Sequence, residues 1–188
     1  VQFWLDVIGE WEKETGKKAT VALSATKDVQ DAILNDTQRA KLVDIIDIRY
    51  WHYKVDGLYA PEGGKNLAPR QHARKMKVGK VTFDEAYRAV SEYRKKFPEK
   101  AVTYYAQNYP DMAWAVFMAS GSCPVVPVAD ESFLTDAAAM DMEDTGTNKY
   151  QKLVKSGIGS IIYSHSATDI PVHLSPGKYI LKSVDPKT

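Results

Sequence analysis

Val43-Asp-Ile-Ile-Asp-Ile-Arg-Tyr-Trp51 is the stretch whose reading decides the fold. Val43, Ile45, Ile46 and Ile48 are β-branched, and such side chains pack well on a pleated surface while losing freedom in a helix. The run therefore reads as a strand. Upstream, Lys18-Ala-Thr-Val-Ala-Leu-Ser24 is a second apolar run of strand length. Between the two, residues 28–35 place Val29, Ala32 and Ile33 on one side of a helix. Thr26 or Asp28 is positioned to cap it. Earlier still, Phe3, Trp4, Val7, Ile8 and Trp11 form one helical stripe that stops at Thr15-Gly16. The first fifty residues thus read helix, strand, helix, strand. This alternation predicts a parallel sheet with covering helices, as in a wound sheet or a barrel.

Working outward toward the C-terminus, residues 54–68 are punctuated by Gly57, Pro61, Gly63 and Gly64 and read as a loop. Thr82 with Glu85 three residues on is a capping-box signature, and it opens a helix that Pro98 closes. Phe83, Ala86, Tyr87, Val90 and Tyr93 make the buried stripe of that helix. An extended piece over residues 101–106 follows. Next comes an apolar helix over 111–119, with Gly121 as its C-cap candidate. A short helix over 132–140 leads into an acidic, then polar stretch over 140–148 that reads as a linker. Beyond it, alternating runs at 150–155, 160–164, 170–174 and 178–184 recur at roughly ten-residue spacing, the rhythm of an antiparallel sheet. The expected fold class is α/β followed by all-β. Residues 1–128 form the α/β part, 129–149 a connecting helix and linker, and 150–188 a β accessory unit.

The composition is that of an ordinary globular protein: 188 residues, 44% hydrophobic and 26% charged. Twenty-five basic residues against 24 acidic ones leave a formal charge of +1. That balance argues against a nucleic-acid partner, because phosphate binding concentrates positive charge. The one basic cluster, at Arg70, Arg74, Lys75, Lys77 and Lys80, reads as a solvated helix face. No apolar run reaches the roughly 18 residues of a membrane span, and no signal peptide is recognisable. The chain opens directly on Val-Gln-Phe-Trp-Leu-Asp-Val, which reads as helix interior, so upstream sequence is expected. Cys123 is the single cysteine. It allows no internal disulfide and no thiolate metal pair, and its Ser-Cys-Pro setting after an apolar helix predicts a buried, inert thiol. Nucleotide-binding loops, a nucleophile elbow and zinc spacing are all missing. No cofactor and no metal are expected, and nothing in the sequence sets an oligomeric state.

The candidate site lies at the end of the deciding strand, where Asp47, Arg49, Trp51, His52 and Tyr53 crowd together. If this is a barrel strand, its C-terminal end is where active sites are built. An aromatic ring beside charged hydrogen-bonding groups suits a sugar: the ring takes the C–H face, and Arg or Asp takes hydroxyls. The competing reading makes Trp51 and Tyr53 core aromatics and Asp47–Arg49 a structural ion pair. Glu62 is the carboxylate of the following loop that is placed to titrate, although a solvated loop Glu is the commoner case. Arg70 and His72 of that loop serve equally as decoration of the next helix, and His165 and His173 have no evident partner.

The runs Phe3-Trp-Leu-Asp, Val21-Ala-Leu-Ser, Asp44-Ile-Ile-Asp-Ile-Arg-Tyr-Trp-His-Tyr53, Ala68-Pro-Arg-Gln-His72 and Ala113-Trp-Ala-Val-Phe-Met-Ala-Ser-Gly121 together resemble the closing strands of apiosidase-like glycoside hydrolases. In that family a TIM-type (β/α)8 barrel is followed by a small β-sandwich of collagen-binding type. The ending Gly177-Lys-Tyr-Ile-Leu-Lys-Ser-Val-Asp-Pro-Lys187 is similar to its last strand. The resemblance implies a carbohydrate substrate, hydrolysis of an O-glycosidic bond by two carboxylates, and an exported protein. Asp47 and Glu62 are the catalytic candidates it offers, and Arg49, Trp51, His52 and Tyr53 the substrate-binding ones. A full barrel needs about 250 residues, so the expectation is a fragment without the principal carboxylate pair. A carbohydrate- or protein-binding module without catalysis is the alternative.

Overall fold

The computed structural model describes residues 2–57, 59–61, 81–105, 110–127, 130–166 and 168–185. Helix α1 spans Gln2–Thr15, strand β1 Ala22–Ser24, α2 Lys27–Leu34, and α3 Thr37–Ala40. The deciding stretch holds two strands, β2 at Ile45–Ile48 and β3 at Trp51–Tyr53, where the sequence predicts one. The third of the β-branched residues flanking Asp47, Ile48, ends the parallel ladder. The chain then turns so that β3 forms an antiparallel hairpin with β4 (Tyr59–Pro61). Helix α4 covers Phe83–Lys96, β5 Ala101–Tyr104, α5 Pro110–Met118, and α6 Glu131–Ala138. Strands β6 (Asp141–Glu143), β7 (Gln151–Lys155) and β8 (Gly159–Tyr163) follow.

The first sheet has the order β1-β2-β5, all parallel. Its neighbours thus follow one another along the chain, apart from the β3–β4 hairpin inserted between β2 and β5. The register sets Ser24 beside Asp47 and Asp47 beside Thr103. Because strand side chains alternate between faces, Ile46, Ile48 and Val102 point the other way. There they are buried with Ile33 and Leu34 of α2, and with Ala89, Val90 and Tyr93 of α4. On the opposite face Ala22 is exposed, and Ile45 and Ala101 are half-buried.

Two of the helix boundaries have a visible local cause. At the start of α4 the Thr82 hydroxyl accepts from Glu85 N at 3.3 Å, and the Glu85 carboxylate accepts from Thr82 N at 2.8 Å. The capping box read from the sequence is thereby formed. Helix α5 ends where Ser120 takes a left-handed φ of 53° and Gly121 N donates to Val116 O at 2.8 Å. A Cβ on Gly121 would stand 2.5 Å from the Val116 side chain, so only glycine fits that close approach. Thr26 is the N-cap of α2, although its side chain makes no capping bond.

The second sheet, β6-β7-β8, is antiparallel throughout. Residues 141–143 had read as linker, but Met142 pairs with Leu153 across this ladder. Leu153 shares a core with Val81, Phe83, Ala86, Met112, Trp114, Phe117 and Met118, against which Ile161 and Tyr163 also pack. Tyr163 stacks on both Phe83 and Trp114, with ring centroids 5.0 and 5.4 Å apart. The sheet and the helices therefore bury one apolar surface between them. The strands expected at 170–174 and 178–184 are not formed among the described residues. Their alternation is real, but Ile180 and Leu181 remain almost wholly exposed, and a strand needs a partner for its backbone groups. Cys123 is exposed, with φ of 55°, which corrects the expectation of a buried thiol. The chain turns at Ser122, whose N donates to Val102 O at 2.7 Å, and this aims the next side chain outward.

One side chain ties the parallel unit together. Gln30 on α2 is completely buried, and its Nε2 donates to Leu23 O on β1 and to Asp47 O on β2, both at 2.9 Å. Its Oε1 accepts from Trp51 Nε1 on β3 at 2.7 Å. Replacing Gln30 with Leu removes three hydrogen bonds, two of them buried, and losing a buried one costs about 1–3 kcal/mol. We expect Gln30→Leu to lower stability by several kcal/mol in urea unfolding, far beyond an Ala32→Leu control on the same helix.

Candidate functional site

The parallel register assembles a cluster of polar groups where the three strands end. Asp47 is 7% exposed, a burial that a carboxylate tolerates only when it is well partnered. One of its oxygens, Oδ1, accepts from the Thr103 hydroxyl at 3.0 Å. The other, Oδ2, accepts from the Ser24 hydroxyl and pairs with Arg49 Nε at 2.9 Å. Neighbouring strands supply both hydroxyls at the same level of the sheet. The arrangement follows directly from Ser24, Asp47 and Thr103 occupying equivalent register positions.

Arg49 lies two residues beyond Asp47, and its side chain is 45% exposed. Its guanidinium lies over the ring of Tyr105, 5.2 Å from the centroid. Tyr105 is itself anchored, donating from its backbone N to Ile48 O at 3.1 Å. With Nε 2.9 Å from Asp47 and the guanidinium 5.2 Å from an aromatic ring centroid, the side chain has two contacts. Its Nη groups have no partner among the described residues.

Trp51 and Tyr53, expected as sugar-contacting rings, are turned the other way. They are 2% and 4% exposed and meet edge to face at 5.4 Å inside the core. An aromatic platform needs an open ring face, so the core reading of these two residues is the one the structure supports. His52, which alternates with them, is half-buried. Glu62, Arg70 and His72 lie outside the described residues, as does the basic cluster from Arg70 to Lys80.

A second polar group sits behind the sheet, between α2 and α4. Lys27 Nζ is 2.8 Å from both Asp31 and Glu92 carboxylates. It lies 5.2 Å from the ring of Trp51 and 5.1 Å from that of Tyr93. Tyr93 donates to Asp31 at 2.8 Å, Tyr53 donates to Glu92, and Arg88 lies over the Tyr53 ring. Burial by itself would lower the Lys27 ammonium, but the hydrogen bonds and charges of Asp31 and Glu92 together hold it above its usual value. Burial and the bond to Glu92 push the Tyr53 hydroxyl up to about 12. Burial and the Asp31 bond push Tyr93 up as well. Sequence reading missed this network and Gln30 alike. A signal was present, since Lys27 and Gln30 stand two turns and one turn before Ile33 and Leu34, on the buried side of α2.

Residues 1–140 match a family described as a domain of unknown function, DUF6298. The chain belongs to that family. No curated protein and no solved structure matches it. The DUF6298 region contains the whole parallel sheet, the Asp47–Arg49 cluster and the network around Lys27, and it ends at the residue before β6. No helix among the described residues is long and apolar enough to cross a membrane. Among those residues no group of three or more His, Cys, Asp or Glu is arranged to hold a metal ion.

The network makes a pH prediction. Lys27, Tyr53 and Tyr93 all hold their protons more tightly folded than unfolded, where lysine and tyrosine titrate near ~10. Above that pH the unfolded chain releases protons that the folded chain keeps, so stability falls as pH rises. The contribution is fully present below pH ~10 and is lost as pH climbs through the folded values. We expect the urea midpoint to decline between pH 9 and 11, and to decline less steeply in Tyr53→Phe.

Proposed function

We propose that this chain binds carbohydrate at the C-terminal ends of its parallel strands, as a segment of a glycoside-hydrolase barrel of the TIM type. The observation that carries the reading is the row Ser24, Asp47 and Thr103 with Arg49 above it. Barrel enzymes build their sites at that end of the strands. Two features of the sheet are those of a barrel segment. Its strands are neighbours in chain order, and α2 and α4 pack against one face only. In a barrel the other face, which carries Asp47, is the interior. Carbohydrate fits the chemistry because Arg49 offers several N–H donors beside the Tyr105 ring, a pairing suited to hydroxyls and a sugar's C–H surface. An exported location goes with this reading, since polysaccharide lies outside the cell.

One observation favours a purely binding role for these residues. Both oxygens of Asp47 are engaged by Thr103, Ser24 and Arg49, an arrangement that suits a carboxylate positioning its neighbours. Glycosidic hydrolysis needs two carboxylates with distinct tasks. Asp47 acts here as the group that orients Arg49, and binding is the part of the activity that these residues carry.

Isothermal titration of the chain against a panel of plant and host polysaccharides tests the proposal. Losing a charge-assisted hydrogen bond costs about 1.5–3 kcal/mol, or roughly 10- to 100-fold in affinity. Arg49→Ala is expected to weaken binding by that factor and also to lower the melting temperature, because the buried Asp47 carboxylate loses its countercharge. Asp47→Asn should weaken binding less while lowering stability. Unaltered affinity in Arg49→Ala would remove the strand ends as the binding site.

A further inference from the structure

We infer that the sugar held at Arg49 carries a carboxylate, so that the ligand is an acidic glycan containing uronic acid residues; this rests on the carbohydrate reading above. A guanidinium offers two edges to a carboxylate, one made by Nε with one Nη, the other by the two Nη groups. In this protein Nε lies 2.9 Å from Asp47 Oδ2. The guanidinium also lies over the Tyr105 ring, 5.2 Å from its centroid. The Nη groups remain, on a side chain that is 45% exposed. No described carboxylate other than Asp47 is paired with it. The orienting group is itself immobile, because hydroxyls from the strands on either side clamp it. An arginine with these contacts presents a planar, charged fork, and such a fork matches a carboxylate in both shape and charge. Binding hydroxyls alone would need neither the charge nor the clamp.

The discriminating experiment titrates the 188-residue chain with polygalacturonate, alginate and hyaluronan. Each is compared with its carboxyl-reduced neutral counterpart, and a set of neutral polysaccharides is run in parallel. Tight binding to at least one uronate polymer is expected, at least tenfold stronger than to its reduced form and weakened by added salt. Arg49→Ala should abolish that preference, and Arg49→Lys should retain part of it as a point charge without the fork. Equal binding to acidic and reduced polymers, or binding to neutral glycans alone, would overturn the acidic class and leave the carbohydrate reading standing. Absence of binding to every glycan, with the chain folded by circular dichroism, would overturn both.

Discussion

The amide of Gln30 is the constraint on which the parallel unit depends. A buried amide is tolerable only when its donors and acceptor are matched. Gln30 meets that condition by joining three separate strands to one helix. The bond to Asp47 O fixes the backbone from which the Asp47 side chain projects. The bond from Trp51 Nε1 fixes the direction in which the chain leaves β2. Both consequences bear on the site. The first holds Asp47 in register with Ser24 and Thr103, and the second draws the Trp51 ring into the core and away from any ligand.

The two polar clusters divide the work between the faces of the sheet. Behind it, Lys27 is neutralised by Asp31 and Glu92 and enclosed by the rings of Trp51 and Tyr93. Removing a single partner from such a group strands a charge, which is why a buried network enforces one arrangement more than it adds stability. It locks α2 against α4. In front, Asp47 and Arg49 form a pair that is buried at one end and open at the other. That asymmetry is what makes the pair a candidate for binding, since Asp47 is buried while the Arg49 side chain is half-exposed.

The β6-β7-β8 sheet is joined to the α/β part through Tyr163, which stacks on both Phe83 and Trp114. A division of the chain at an acidic linker follows naturally from composition, yet Met142 in that stretch lies against both apolar clusters. Composition shifts report local polarity. They do not report whether a short strand finds a partner ten residues later.

The sequence by itself determined the opening helix–strand–helix–strand order and several of the local signals that start and stop the elements. The β-branched run through Ile48, the Thr82–Glu85 capping box and the turn at Gly121 each act over a few residues, so each was legible from neighbours alone. It also singled out Asp47 and Arg49 as worth attention. Tertiary structure decided their roles, because those depend on which residues the parallel register sets alongside them. Ser24 and Thr103 are 23 and 56 residues from Asp47, and no local pattern announces either. The same holds for Trp51 and Tyr53, whose aromatic character fits a platform and a core equally well. Only the turn after Ile48 and the waiting partners Gln30 and Glu92 settled their direction. Residues 170–184 show the converse case. Their alternation is that of strands, but pairing is a property of two segments, and one segment cannot supply it.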